Sequence, residues 1–114
     1  MKAPAKREFL GDFEQLVMLA LLRLDSDAYG MRVRQEITVR TGREIAIGAV
    51  YTTLERLEAK SMVRSTTLDP GDGTRAKRVF RPTPRGRRAL DASREAIASM
   101  SDGLNLPGAV WKTN

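Results

Sequence analysis

IGAVYTTLERLEAKSMV, residues 47–63, carries two periodicities in one stretch. Ile47, Val50, Tyr51, Leu54 and Leu57 recur at helical spacing, with Thr52, Thr53, Glu55, Arg56 and Lys60 between them. From Met62 onward the pattern turns strand-like. The run therefore predicts a helix over about 47–60 that passes directly into a strand. Its apolar set, Ile47, Val50, Leu54 and Leu57, must face a core, which leaves Gly48, Ala49, Thr52, Thr53, Arg56 and Lys60 outside and Tyr51 at the boundary. Most amphipathic helices only pack. Whether this one also reads something depends on what surrounds it.

Upstream, two more helices are expected. One runs from Asp12 to Leu24, with Asp12 at the N-cap and Gln15 completing a capping-box pattern. Phe13, Leu16, Val17, Ala20, Leu21 and Leu24 form one stripe, but Met18, Leu19 and Leu22 lie off it. A helix apolar nearly all round is buried on more than one side, and a second subunit is the expected cover. The turn SDAYG (26–30) leads into a helix over about Tyr29 to Thr41, with Asp27 as N-cap and Gly42 as the C-terminal glycine.

Downstream, MVRSTTL (62–68) and AKRVFRP (76–82) alternate as strands around DPGDGTR, whose Pro70, Gly71 and Gly73 signal a turn. This is a hairpin with a long tip. Thr83-Pro84 then opens a last helix, Thr at N-cap and Pro at N1. Leu90, Ser93, Ile97, Met100 and Leu104 follow at spacings of three and four, a short heptad seam with Ser93 its weak point. The expected parts are a flexible basic N-terminus (1–8), a winged helix-turn-helix domain (9–83), a dimerisation helix (84–104) and a flexible tail (105–114). The fold class is mainly α with a small β-hairpin, a winged helix-turn-helix plus a C-terminal dimerisation helix.

Composition narrows the function. With 114 residues the chain can bury one core without staples, and it contains neither cysteine nor histidine. That removes disulfides, thiolate metal sites, the commonest general base and the commonest zinc ligand. Carboxylates are scattered singly, so no enzyme, cofactor or metal site is expected. DPGDG lacks the ligand spacing of a calcium loop. The longest apolar run, Leu16 to Leu22, is too short to span a bilayer, so no membrane partner is expected and the protein is read as cytoplasmic.

The net charge is +6 and the isoelectric point about 10.3, as in nucleic-acid-binding domains. Its distribution matters more. Lys60, Arg64, Arg75, Lys77, Arg78, Arg81, Arg85, Arg87 and Arg88 are opposed between residues 60 and 88 only by Asp69 and Asp72. The excess is therefore local, and it sits just after the opening stretch. Three helices and a hairpin form a winged helix, in which the third helix can enter a major groove while the hairpin lies on the backbone or the adjoining minor groove. The tip carries Thr74 and Arg75 and the strand after it Lys77, Arg78 and Arg81, and the basic side chains among them would then neutralise phosphates.

The ordered residues also resemble the PadR-like winged-helix transcriptional regulators over about residues 13–90. The resemblance rests on Tyr29-Gly30, Gly48-Ala49-Val50-Tyr51, Leu54-Glu55-Arg56-Leu57-Glu58, Met62-Val63, Arg78-Val79-Phe80-Arg81-Pro82-Thr83 and Gly86. Ser61 departs from a usual glycine, Val79 from a usual aromatic and Pro82 from a usual aliphatic residue. The resemblance implies a homodimer that binds double-stranded operator DNA, usually as a repressor and often relieved by a small ligand or another signal. Its short C-terminal part is similar to that of the family's short subgroup.

On these grounds Gly48, Ala49, Tyr51, Thr52, Thr53, Arg56, Lys60, Thr74, Arg75 and Lys77 are the expected DNA-binding residues. Phe13, Val17, Leu21, Leu90, Ile97, Met100 and Leu104 are the expected dimer interface. The rival reading, a winged helix serving as a protein-interaction module, would call for an apolar or acidic third-helix face and an unremarkable wing. Trp111, beyond Pro107-Gly108, reads as a loosely docked tail residue rather than a ligand-stacking one.

Overall fold

Glu14 decides where the first helix begins. In the computed structural model, which describes residues 7–106, its carboxylate accepts the Gly11 N–H at 2.9 Å, which closes the first turn of α1 (Asp12–Leu24). Gly11 is thus the N-cap in place of Asp12, whose carboxylate meets Arg43 at 3.1 Å instead. Gln15 does not close the box; its side-chain amide donates to the Leu10 carbonyl. Trp111 lies outside the described residues, as do most of the N-terminal segment and tail.

A 3-10 turn at Asp25–Asp27 follows, then α2 (Gly30–Thr41). Asp27 does not cap α2, because its carboxylate is taken by the Arg32 guanidinium at 3.0 Å. Gly42 ends the helix as expected, at φ 73 with its N–H on the Thr38 carbonyl. The Arg34 guanidinium donates to the Ile45 carbonyl at 2.6 Å and fixes the turn into α3 (Ile47–Ala59).

The passage from α3 to the hairpin is a Schellman motif: Ser61 N–H bonds Glu58 O and Met62 N–H bonds Leu57 O, both at 2.9 Å. Ser61 sits at φ 61, the left-handed conformation that glycine adopts freely. The turn is as tight as a glycine would make it, and the serine carries the strain. Ser61→Gly is expected to raise stability by about 1 kcal/mol, net of the entropy glycine adds to the unfolded chain. A thermal midpoint that stays the same or falls would show that the serine side chain compensates.

Strands β1 (Val63–Leu68) and β2 (Lys77–Pro82) pair antiparallel, with Ser65 opposite Phe80 and Arg64 opposite Arg81. A third short edge joins them. Tyr29 bridges Val79, and Phe80 N–H bonds the Ala28 carbonyl at 2.9 Å. α4 (Pro84–Ser101) starts as the sequence predicts, Thr83 Oγ1 accepting the Gly86 N–H.

Val17, Met18 and Leu21 of α1 are buried with Val33, Ile37, Val50, Leu54, Leu57, Met62, Val63, Phe80 and Leu90 in one core. This corrects the expectation for two residues of α1, Val17 and Leu21. Both are buried within the protomer by the elements packed on α1 and have no surface left for a second subunit, whereas Leu22 is exposed and Phe13, Leu16 and Leu19 are half-buried. Leu90 is likewise core, and Phe13 packs half-buried against it. Ser93 is no weak seam position: its hydroxyl is buried, accepts the Leu10 N–H at 2.7 Å and donates to the Ala89 carbonyl. α4 ends at Ser101 rather than Leu104, and past Ser93 it stands clear of the body, with Ile97, Met100 and Leu104 exposed. No helix among the described residues is long and apolar enough to cross a membrane.

Candidate nucleic-acid interface

α3 buries Val50, Leu54 and Leu57 and turns Gly48, Ala49, Thr52, Glu55 and Arg56 outward. Thr53 does not belong to that outer face. It is 4% exposed, between Val50 and Leu57 on the packed side, and cannot reach a groove. The N-cap, Ala46, offers no side-chain cap, so the amide dipoles at the start of α3 are left open to an outside acceptor such as a phosphate. Small Gly48 and Ala49 let another backbone come close there. Arg56 forms no ion pair with the described residues.

Tyr51 is positioned by a glycine. A Cβ on Gly30 would stand 2.3 Å from the Tyr51 ring, so the ring lies directly on the first residue of α2. The residue remains 39% exposed, which leaves its edge on the outer face of α3. This is the physical content of the Tyr29-Gly30 and Val50-Tyr51 pairs: one supplies the floor, the other the ring.

At the tip of the hairpin the two aspartates serve the turn. Asp69 accepts the Gly71 N–H at 3.0 Å and Asp72 the Thr74 N–H at 2.9 Å, with Gly71 and Gly73 at positive φ. Hydrogen bonds from Thr74 hold the Asp72 carboxyl below its usual range. Neither aspartate pairs with Arg75, which stays exposed beside Thr74. Lys77 places its ammonium over the Tyr29 ring, 4.3 Å from the centroid. It leans along the wing towards Tyr29 while remaining exposed.

Arg78 is a different matter. Its guanidinium bonds the Glu58 carboxylate and Ser65 Oγ, lies 3.8 Å from Glu55 and stacks over the Phe80 ring. The Ser65 hydroxyl, together with the Arg78 charge, holds Glu58 below the usual carboxylate range. So Arg78 ties the hairpin to α3, and its charge is met inside the protomer. It is not among the cations free for phosphate. Lys60 is also engaged, 3.3 Å from Glu14 at the C-terminal end of α3, and this weakens its case as a DNA ligand. The Arg85 guanidinium holds Glu8 with two hydrogen bonds and keeps that carboxyl below its ordinary value.

The structure thus brings Gly48, Ala49, Tyr51, Thr52 and Arg56 onto one helix face, and Thr74, Arg75 and Lys77 onto the hairpin that follows. Sequence reasoning gave Arg81 a phosphate role but left it and Arg64 out of the expected site; the two stand opposite each other on the hairpin with no acidic partner among the described residues. The strand alternation around Phe80 was the signal that could have found them.

Comparison with known proteins agrees with this geometry. Residues 18–92 match the family described as the transcriptional regulator PadR-like family. Among curated proteins, the transcriptional regulator Rv3488 of Mycobacterium tuberculosis is 39% identical over 77 residues, covering 68% of this chain and 69% of that protein. A PadR family regulator from Clostridium difficile shares the fold at TM-score 0.72 and 19% identity, over 83% of this chain and 96% of its own. F93 from STIV, a winged-helix DNA-binding protein, does so at 0.67 and 18%, over 84% and 98%.

Proposed function

Because the chain belongs to the PadR-like family of transcriptional regulators, we propose that it binds operator DNA sequence-specifically as a repressor in the cytoplasm. It does so as a homodimer on a pseudo-palindromic site, α3 entering the major groove and the wing tip lying on the backbone or in the adjoining minor groove. One observation carries this reading. The outer face of α3 combines small and hydrogen-bonding residues with Arg56 and with Glu55, which lies 3.8 Å from Arg78. Among the described residues neither Arg56 nor the cations Arg64, Arg75, Lys77 and Arg81 of the adjoining hairpin meet a carboxylate. An interaction module would have no use for that pairing.

Arg56 can grip guanine O6 and N7 or a phosphate, and Thr52 can bond a base edge or touch a thymine methyl. Arg75 at the tip positions the protein without choosing sequence. Selection from randomised duplexes tests the division. Arg56→Ala or Thr52→Ala should relax the preference at one position per half-site by about 1–3 kcal/mol. Thermal stability should move by less than about 0.5 kcal/mol, since both side chains are exposed. If both variants keep the parental preference at every position, α3 is not the reader.

A further inference from the structure

The nine cations between residues 60 and 88 divide into two groups once the fold is known. Lys60 meets Glu14, Arg78 meets Glu58 and Glu55, Arg85 meets Glu8, and Arg87 meets Asp91. Among the described residues Arg64, Arg75, Lys77, Arg81 and Arg88 meet no carboxylate. Three of these share one surface. The hairpin alternates so that Phe80 and Arg78 face the body, which puts Arg64, Thr66 and Leu68 of β1 with Lys77, Val79 and Arg81 of β2 on the opposite face.

On that face Arg64 and Arg81 are directly opposed. Directly opposed residues on an antiparallel pair have Cβ atoms about 4.5–5.5 Å apart, and like charges so placed destabilise the sheet. Nothing in the described fold offsets this. Lys77 lies four residues from Arg81 along β2, about 13 Å, and Arg75 precedes the strand at the tip. The result is unmatched positive charge towards both ends of the outer hairpin face, Arg64 and Arg81 at one and Lys77 at the other, with half-buried Val79 between them.

We propose that this outer hairpin face is a second phosphate-binding surface, which takes the backbone of the duplex flanking each half-site. The inference rests on the DNA-binding reading above, adds Arg64 to it, and moves the phosphate contact expected of Arg81 from the half-site to the flank. Both stand at the end of the hairpin remote from the tip. A straight duplex that touches the tip therefore passes them by, and contact requires the flank to curve towards the wing. The same cations set along a strand favour the regular charge of a nucleic-acid backbone over an acidic protein surface.

The experiment compares an operator trimmed to its two half-sites with one extended by about ten base pairs, one helical turn, on each side. Salt titrations are run on the parent and on the double variant Arg64→Gln, Arg81→Gln. The parent should bind the extended duplex with a steeper slope of log K against log salt, by about 0.9 for each added phosphate contact. The double variant should lose that increment, bind the extended duplex about tenfold more weakly than the parent, and match it on the trimmed one. Its thermal midpoint should be equal or higher, because a repulsive pair has been removed. A length dependence retained in the double variant, or absent from the parent, overturns the proposal. So does an equal loss on the trimmed duplex, which would assign both arginines to the half-site, and so does a stoichiometry of two duplexes per dimer. Parental binding to the trimmed operator reports separately on the proposed function.

Discussion

Replacing Ile97 and Met100 together by Glu is expected to leave a folded monomer that holds the operator 100-fold or more less tightly. The two side chains are 63% and 80% exposed on the half of α4 that projects beyond Ser93, so the protomer does not need them. They form the part of the expected seam that the structure leaves uncovered, with Leu104 just past the helix end. A dimer built there links two reading heads, and the second half-site is then bound from an effective concentration rather than from bulk solution. Such linkage contributes about 10²–10⁴ in affinity. Two carboxylates per protomer in an apolar contact oppose that association by desolvation and like-charge repulsion. Light scattering reads the assembly, anisotropy the affinity, and circular dichroism the fold. A variant that remains dimeric with parental affinity would place the interface elsewhere.

The elements that local chemistry decides were legible in advance. Gly42 stops α2, Thr83-Pro84 starts α4, and the glycines around Asp72 turn the hairpin, each because one residue type suits one backbone conformation. The burial of α1 was not legible. A helix apolar on nearly every side gives the same pattern whether its own chain or another covers it, and here the protomer buries Val17, Met18 and Leu21 but leaves Leu22 exposed. Thr53 was readable and missed. It stands three residues after Val50 and four before Leu57, the spacing of the packed face, and its polarity masked its position.

The charges were hardest. The sequence shows nine cations in a row of elements, but their roles depend on which strand face looks at α3. The pairing of Ser65 with Phe80 settles that by placing Arg78 beside Glu58 and turning Arg64 and Arg81 away. The edge contact at Ala28–Tyr29 is a single isolated bridge with one further hydrogen bond, too short for alternation to reveal.

Two glycines give the last expected result, because their close contacts separate packing from reading. At Gly86 a Cβ would stand 2.0 Å from the Met62 carbonyl oxygen. That oxygen already accepts the Thr83 N–H and belongs to the turn joining α3 to the wing, so only a backbone shift makes room. Gly86→Ala should therefore lose about 1–3 kcal/mol of stability or more, the range for overpacking a tight site. At Gly30 the neighbour is the end of the Tyr51 side chain, 2.3 Å away, which can swing out about χ1 without moving the backbone. Alanine is also the better helix former by up to about 1 kcal/mol, which offsets part of the strain. Gly30→Ala should thus change stability little while turning Tyr51 into the space in front of α3. A displaced aromatic ring beside Thr52 and Arg56 blocks close approach to the groove, and operator affinity should fall about tenfold or more, the effect of losing one or two good contacts. Melting curves and operator titrations on the two variants decide between the outcomes. If Gly30→Ala melts early and binds normally per folded molecule, Tyr51 is a packing residue and its ring has no place at the DNA.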